Sequence, residues 1–166
     1  MKFIKVNNDP LVEETSKLAA GIWQEHYEPI IGKQQVEYML QKFQSSKAIS
    51  EQISKGWDYY LVCDQHNWVG YIALLAEPQK KSMHLSKYYI DSKYRGKGYG
   101  KKAMNFIIDK CMESKLNTLW LTVNRHNTDS IKIYEKLGFK NEGKIKCDIG
   151  EGFIMDDYKM VYTIED

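Results

Sequence analysis

The stretch Tyr94-Arg95-Gly96-Lys97-Gly98-Tyr99-Gly100-Lys101-Lys102-Ala103-Met104 carries the residue types that bind a phosphate. Three glycines alternate with larger residues. Glycine lets a backbone approach a ligand closely and adopt positive φ. An apolar-periodic segment follows directly, so the stretch opens a helix. A helix N-terminus offers unpaired N–H donors and a partial positive charge to an anion. Arg95, Lys97, Lys101 and Lys102 add full charges. Spacing narrows the kind of cradle. A P-loop needs Gly, four residues, then Gly-Lys-Ser/Thr, and a dinucleotide fingerprint needs Gly-x-Gly-x-x-Gly. Five residues after Gly96 stands Lys101, and five after Gly98 stands Ala103, so neither template fits. What remains is Arg-x-x-Gly-x-Gly at Arg95, Gly98 and Gly100. Taken alone, that pattern also fits a Gly-rich turn before an ordinary helix.

The elements around this loop follow from periodicity and punctuation. Residues 2–6 alternate as a strand. Asp9-Pro10 signals a helix start, with Asp9 as N-cap. Leu11, Leu18, Ile22 and Trp23 give that helix an apolar stripe to about Tyr27, and Pro29 and Gly32 break it. Val36, Met39, Leu40 and Phe43 predict a helix over 34–44, and a third runs from Ser46 to Ser54. Residues 59–64 and 68–75, joined by Gln65-His66-Asn67, read as an antiparallel hairpin. Ser82–Ile90 is a further strand and 99–114 the helix after the loop. Leu119-Trp120-Leu121-Thr122-Val123 predicts a strand buried on both faces. Asn127 caps a helix to about Leu137, which Gly138 stops. Two strands, 144–149 and 153–163, close the chain around Gly150-Glu151-Gly152. The order predicts one mixed α/β domain over residues 1–166, its sheet of six to seven mostly antiparallel strands with helices on both faces.

Composition agrees with that class. The chain has 166 residues, 43% apolar and 28% charged, with a net charge of +2. This near-neutral balance gives no argument for nucleic acid. No apolar run is long enough to span a membrane, and the first residues lack a signal-peptide core. Cys63, Cys111 and Cys147 are far apart and odd in number, which predicts buried free thiols in a reducing cytoplasm. His26, His66 and His84 have no metal-ligand spacing, so no metal is expected.

A second constellation decides between the readings of the loop. Leu119 to Asn127 is followed by Ser130 and by Tyr134-Glu135-Lys136-Leu137-Gly138-Phe139. With Arg95, Gly98 and Gly100 ahead of it, this resembles the two-motif signature of the GNAT superfamily of acyl-CoA-dependent N-acetyltransferases. The resemblance covers roughly residues 58–163. Trp23, Tyr27, Gln35 and Tyr38-Met39-Leu40 look, less specifically, like the polyamine-acetyltransferase branch.

The resemblance implies acetyl-CoA as the acyl donor. Its pyrophosphate would rest on Arg95, Gly96, Lys97, Gly98, Tyr99, Gly100 and Lys101. Its pantetheine arm would pair with the strand edge at Tyr88, Tyr89 and Ile90, where that strand and the next splay apart. Asn127, Ser130 and Tyr134, spaced i, i+3, i+7, share a helix face, with Ile133 and Leu137 packing beneath it. Asn127 serves as helix cap and pantetheine contact, and Tyr134 points at the thioester sulfur. Trp23, Tyr27 and Tyr38 would line a pocket for the acceptor, a small amine or a peptide N-terminus. As plain structure, those rings would face the sheet. His84, Glu77, Glu25 and His26 are the candidate bases, with His84 the first choice. The resemblance thus implies a cytoplasmic N-acetyltransferase, monomer or homodimer, without nucleic-acid or membrane partners. The competing reading is a catalytically idle acyl-CoA-binding regulatory module, which would not need to keep Tyr134.

Overall fold

The computed structural model describes residues 1–165. In chain order it contains β1 (Lys2–Lys5), α1 (Asp9–Ile31), α2 (Lys33–Met39), α3 (Ser46–Ser54), β2 (Asp58–Asp64), β3 (Asn67–Glu77) and β4 (Ser82–Ile90). There follow α4 (Tyr99–Glu113), β5 (Thr118–Asn124), α5 (Thr128–Lys136), β6 (Lys140–Gly150) and β7 (Phe153–Thr163). The seven strands form one mixed sheet in the order β1-β2-β3-β4-β5-β7-β6. β4 and β5 run parallel, whereas β1–β2, β2–β3, β5–β7 and β6–β7 are antiparallel. Among the described residues no helix is long and apolar enough to cross a membrane, and no cluster of side chains could hold a metal ion.

Several expectations need correction. Asn8, not Asp9, caps α1: its side chain accepts from Leu11 N at 3.0 Å. α1 also runs through Pro29 to Ile31 and ends at Gly32, whose φ of +85° turns the chain. A proline costs a helix one interior bond, and here that loss falls in the last turn. α2 does not continue to residue 44 as an α-helix but widens into a π turn over Leu40–Gln44. β6 is longer than expected. β5 is not buried on both faces. Leu119, Leu121 and Val123 are buried, whereas Thr118, Trp120, Thr122 and Asn124 are half-buried. Cys147 is exposed and Cys63 half-buried, so only Cys111 is a core thiol.

The chain forms two compact units. The first comprises Met1–Leu75 and Lys87–Phe106, the second Ala76–Ser86 and the chain from Ile107 onward. The first has its core where α1 and α3 pack on β2 and β3: Val12, Ala19, Ile22, Ile49, Tyr59, Leu61, Tyr71 and Ala73 are all buried. Burial of a large apolar side chain contributes about 1.5–3 kcal/mol. The second unit buries Leu119, Leu121, Val123, Phe139 and Met160.

Candidate active site

In the first unit the glycine loop is tied down at both ends. Asp91 starts it: its carboxylate accepts from Lys93 N at 3.0 Å, and Asp91 N donates to Val69 O at 2.9 Å. Arg95 Nε donates to Ile90 O at 3.2 Å. At the far end the Tyr88 hydroxyl donates to Gly100 O at 2.7 Å, and Tyr99 donates to Asp64 at 2.6 Å. Tyr99 is therefore a brace for the loop. Gly96 and Gly98 have φ of +76° and +78°, the left-handed region that favours glycine. A Cβ on either would meet nothing within 4 Å. The N–H groups of Gly96, Lys97 and Gly98 make no hydrogen bond among the described residues. Unbonded donors, open space above them and a helix start are the features an anion needs. Lys97, Lys101 and Lys102 are exposed around them.

The same unit gathers three of the expected aromatic rings. Trp23 stacks on Tyr27 with centroids 4.3 Å apart, and Tyr89 meets both edge-on. Trp23 is buried and donates to the Tyr71 hydroxyl at 3.1 Å, which donates on to Gln44. Trp23 therefore supports the cluster from beneath, and Tyr27 is its half-buried face. Tyr38 sits on α2, where its hydroxyl accepts from Lys42 Nζ at 3.0 Å. Nearby, a pocket of about 100 Å³ is lined by Ile22, Glu25, His26, Ser92 and Arg95. Glu25 accepts from the Ser92 hydroxyl across it at 2.7 Å.

In the second unit the parallel pairing of β4 with β5 is short. It joins Ser82, Met83 and His84 to Thr118, Leu119 and Trp120 and then stops. Leu121 to Asn124 thus have no β4 partner among the described residues. Just beyond them, Asn127 N donates to Asn124 O at 2.9 Å and Asn127 begins α5. The Asn127 oxygen accepts from Ser130 N at 3.4 Å, the cap read from sequence. Asn127 is only 3% exposed, and its Nδ2 has no partner among the described residues. An unmade bond on a buried amide costs about 1–3 kcal/mol, so a donor held in this state is poised for an incoming acceptor.

Tyr134 lies two turns along α5, half-buried, its ring edge-on to Phe139 at 5.5 Å. Ile133 does not pack beneath it: it is 52% exposed. His84 lies face to face with Trp120, centroids 3.9 Å apart. Glu77 is unsuited to be a base. Lys80, Trp120 and Ser82 all donate to its carboxylate, at 2.7, 2.8 and 3.0 Å. The Lys80 bond above all holds its pKa down, at about 2.

Two buried ionisable groups escaped the sequence reading. Lys87, on β4, is 4% exposed, and burial pushes its ammonium down to about 7. Asp157, on β7, is 4% exposed with its carboxyl pushed up to about 6 by burial. The Asp156-Asp157 pair inside an apolar strand run was the available signal.

The family model of the acetyltransferase (GNAT) family matches residues 21–139. The chain belongs to the GNAT acetyltransferase family. Among its GNAT relatives, a spermine/spermidine N(1)-acetyltransferase of Bacillus subtilis is 32% identical over 62 residues, which is 37% of this chain and 41% of that one. A [ribosomal protein bS18]-alanine N-acetyltransferase of Escherichia coli is 37% identical over 57 residues, covering 34% and 38%. The match thus spans about two fifths of the length of these curated relatives. The PaiA N-acetyltransferase of Thermoplasma acidophilum, solved with coenzyme A, superposes with a TM-score of 0.78 at 18% identity, covering 98% of this chain and 99% of that one. At that identity the likeness concerns the GNAT fold.

Proposed function

We propose that this GNAT chain is an acetyl-CoA-dependent N-acetyltransferase that moves an acetyl group to a primary amine by direct attack on the thioester. The observation that carries the proposal is the loop Arg95–Gly100, with its unbonded N–H groups, open space and left-handed glycines at the head of α4. The unpartnered amide of Asn127 supports it from the other unit. These residues fit acetyl-CoA, which supplies the acetyl group as an activated thioester. Arg95, Lys97 and Lys101 would neutralise the pyrophosphate while the loop amides orient it. In the first unit the edge of β4 at Tyr88, Tyr89 and Ile90 would pair with the pantetheine arm; in the second, Asn127 and Ser130 offer polar groups suited to its amides.

Tyr134 would serve the departing sulfur. A phenol of pKa about 10 against a thiol near 8.5 makes full proton transfer uphill by about 2 kcal/mol. The hydroxyl therefore acts mainly as a hydrogen-bond donor to the developing thiolate. His84, held by its stack on Trp120, is a candidate base in the second unit. Tyr27, Trp23 behind it, and Tyr38 would form the wall that receives the amine. The relatives named for polyamines and for a ribosomal-protein alanine suggest a small polyamine or a protein N-terminus as acceptor.

Calorimetry of acetyl-CoA binding tests the donor half. Gly98→Glu puts a side chain and a negative charge where the pyrophosphate would sit, at a φ that disfavours any side chain. Affinity should fall by at least about 10²-fold while the melting curve stays cooperative. Wild-type affinity in this variant would remove the loop from the site.

A further inference from the structure

The second unit contains a buried carboxylate that no cation reaches. Asp157 is 4% exposed, and no ion pair forms with it among the described residues. Its neighbour differs: Arg125 Nε lies 2.7 Å from Asp156 Oδ2, a charge pairing whose N–H is not aligned as a hydrogen bond. Burying an uncompensated carboxylate is costly, and such groups concentrate where chemistry uses them.

Strand register gives Asp157 its setting. Directly opposite residues on antiparallel strands share a face. The pairs Trp120–Val161, Thr122–Lys159 and Asn124–Asp157 therefore lie on one face of β5 and β7, the half-buried one. This is the stretch of β5 that β4 leaves unpaired after Trp120. Trp120 carries His84 against its ring, and Lys159 Nζ lies 5.3 Å from the same ring's centroid. From β6 the residue opposite Asp157 is Ile145, with Lys144 and Lys146 on either side. Burial raises the Asp157 carboxyl most; a hydrogen bond from the Thr122 side chain pulls it back, and the Asp156 charge pushes it up again.

We propose that Asp157 is the base that takes the proton from the acceptor amine. This rests on the acetyl-transfer reading above. A neutral amine nitrogen forms its bond to the carbonyl carbon, and the C–S bond breaks with its electron pair on sulfur. One amine proton passes to the Asp157 carboxylate, and the thiolate leaves hydrogen-bonded by the Tyr134 hydroxyl and takes a proton from solvent. Asp157 then releases its proton to solvent. An ordinary aspartate near 3.9 is a weak base. One near 6 is still ionised at neutral pH and holds a proton about a hundredfold better.

The test is kcat against pH with saturating acetyl-CoA and a panel of primary amines, alongside calorimetric acetyl-CoA affinity. Below about pH 6 both the ammonium and Asp157 must lose a proton, so log kcat should rise with a slope of about two, easing to about one above it. Asp157→Asn should lower kcat at pH 7 by about 10²-fold or more, leave acetyl-CoA affinity within about twofold, and remove the break near pH 6. Thr122→Val, which keeps the side chain's shape, removes the bond that lowers the carboxyl, so the break should move to higher pH. A purely structural Asp157 would leave the break in place in both variants and overturn the proposal. Loss of the break in His84→Gln, with Asp157→Asn retaining it, would assign the base to His84. If the wild type binds acetyl-CoA yet acetylates no amine, the functional reading falls, and this inference with it.

Discussion

Lys87→Met should stabilise the protein near neutral pH and erase a pH dependence. Lys87 is buried in the first unit, its Nζ donating to Gln52 Oε1 at 2.9 Å and lying 5.1 and 5.5 Å from the ring centroids of Tyr59 and Trp57. No carboxylate pairs with it among the described residues. Burial lowers its ammonium from 10.5 to about 7. The unfolded chain therefore binds this proton below about 10.4, whereas the native chain binds it only below about 7. Between those limits the unfolded state holds more protons, so native stability rises with pH, by up to about 1.4 kcal/mol per unit. The penalty is complete below pH 7 and amounts there to on the order of 4–5 kcal/mol. Methionine is close in volume, and such swaps cost below about 1.5 kcal/mol. Gln52 Oε1 keeps the Tyr59 hydroxyl at 2.6 Å, so the substitution orphans no buried acceptor. Losing the Lys87 bond costs about 1 kcal/mol. The net expectation is a variant more stable by about 1–3 kcal/mol at pH 7. Urea unfolding of both proteins from pH 6 to 9.5 measures it. The advantage should shrink steadily above pH 7 as the wild type becomes neutral. A difference that does not change with pH, or a variant less stable at pH 7, would mean that Gln52, Trp57 and Tyr59 fully satisfy a charged lysine, and would refute the reasoning.

Tyr134→Phe keeps the ring against Phe139 and removes only the hydroxyl. kcat and kcat/KM should fall together by about 10²-fold with the acetyl-CoA Kd little changed. Unchanged kcat where chemistry limits the rate would take Tyr134 out of the mechanism. A thiol reagent should modify exposed Cys147 at once and Cys111 only on unfolding, because burial raises the Cys111 thiol to about 12. Equal labelling rates for the two would contradict the core placement of Cys111.

Local signals were legible in the sequence, and register was not. Strands β4 and β7 begin and end where alternation and the Gly150-Glu151-Gly152 turn place them. The Gly96 and Gly98 conformations and the Asn127 cap follow from residue type at a helix start. Asn8 and Asp9 both cap well, so the choice between them depends on where the turn closes. The π turn after Met39 leaves no mark in spacing, since Leu40 and Phe43 suit an α-helix equally well. Ile133 looked like packing because helical spacing gives a face but not the width of what covers it. Lys87 and Asp157 went unnoticed because burial of a charged residue is set by distant elements: Gln52 and Trp57 for the lysine, β5 and β6 for the aspartate.

The central claim is acetyl transfer from acetyl-CoA to an amine nitrogen. Acetyl-CoA labelled in its acetyl carbon, incubated with the protein and a panel of polyamines, amino acids and peptides, tests it most directly. Mass spectrometry should find the label on the nitrogen of one amine class, in amounts equal to the coenzyme A released. Label that stays on the thioester in every mixture, while calorimetry shows acetyl-CoA bound, would contradict the claim and favour a module that binds acyl-CoA without turning it over.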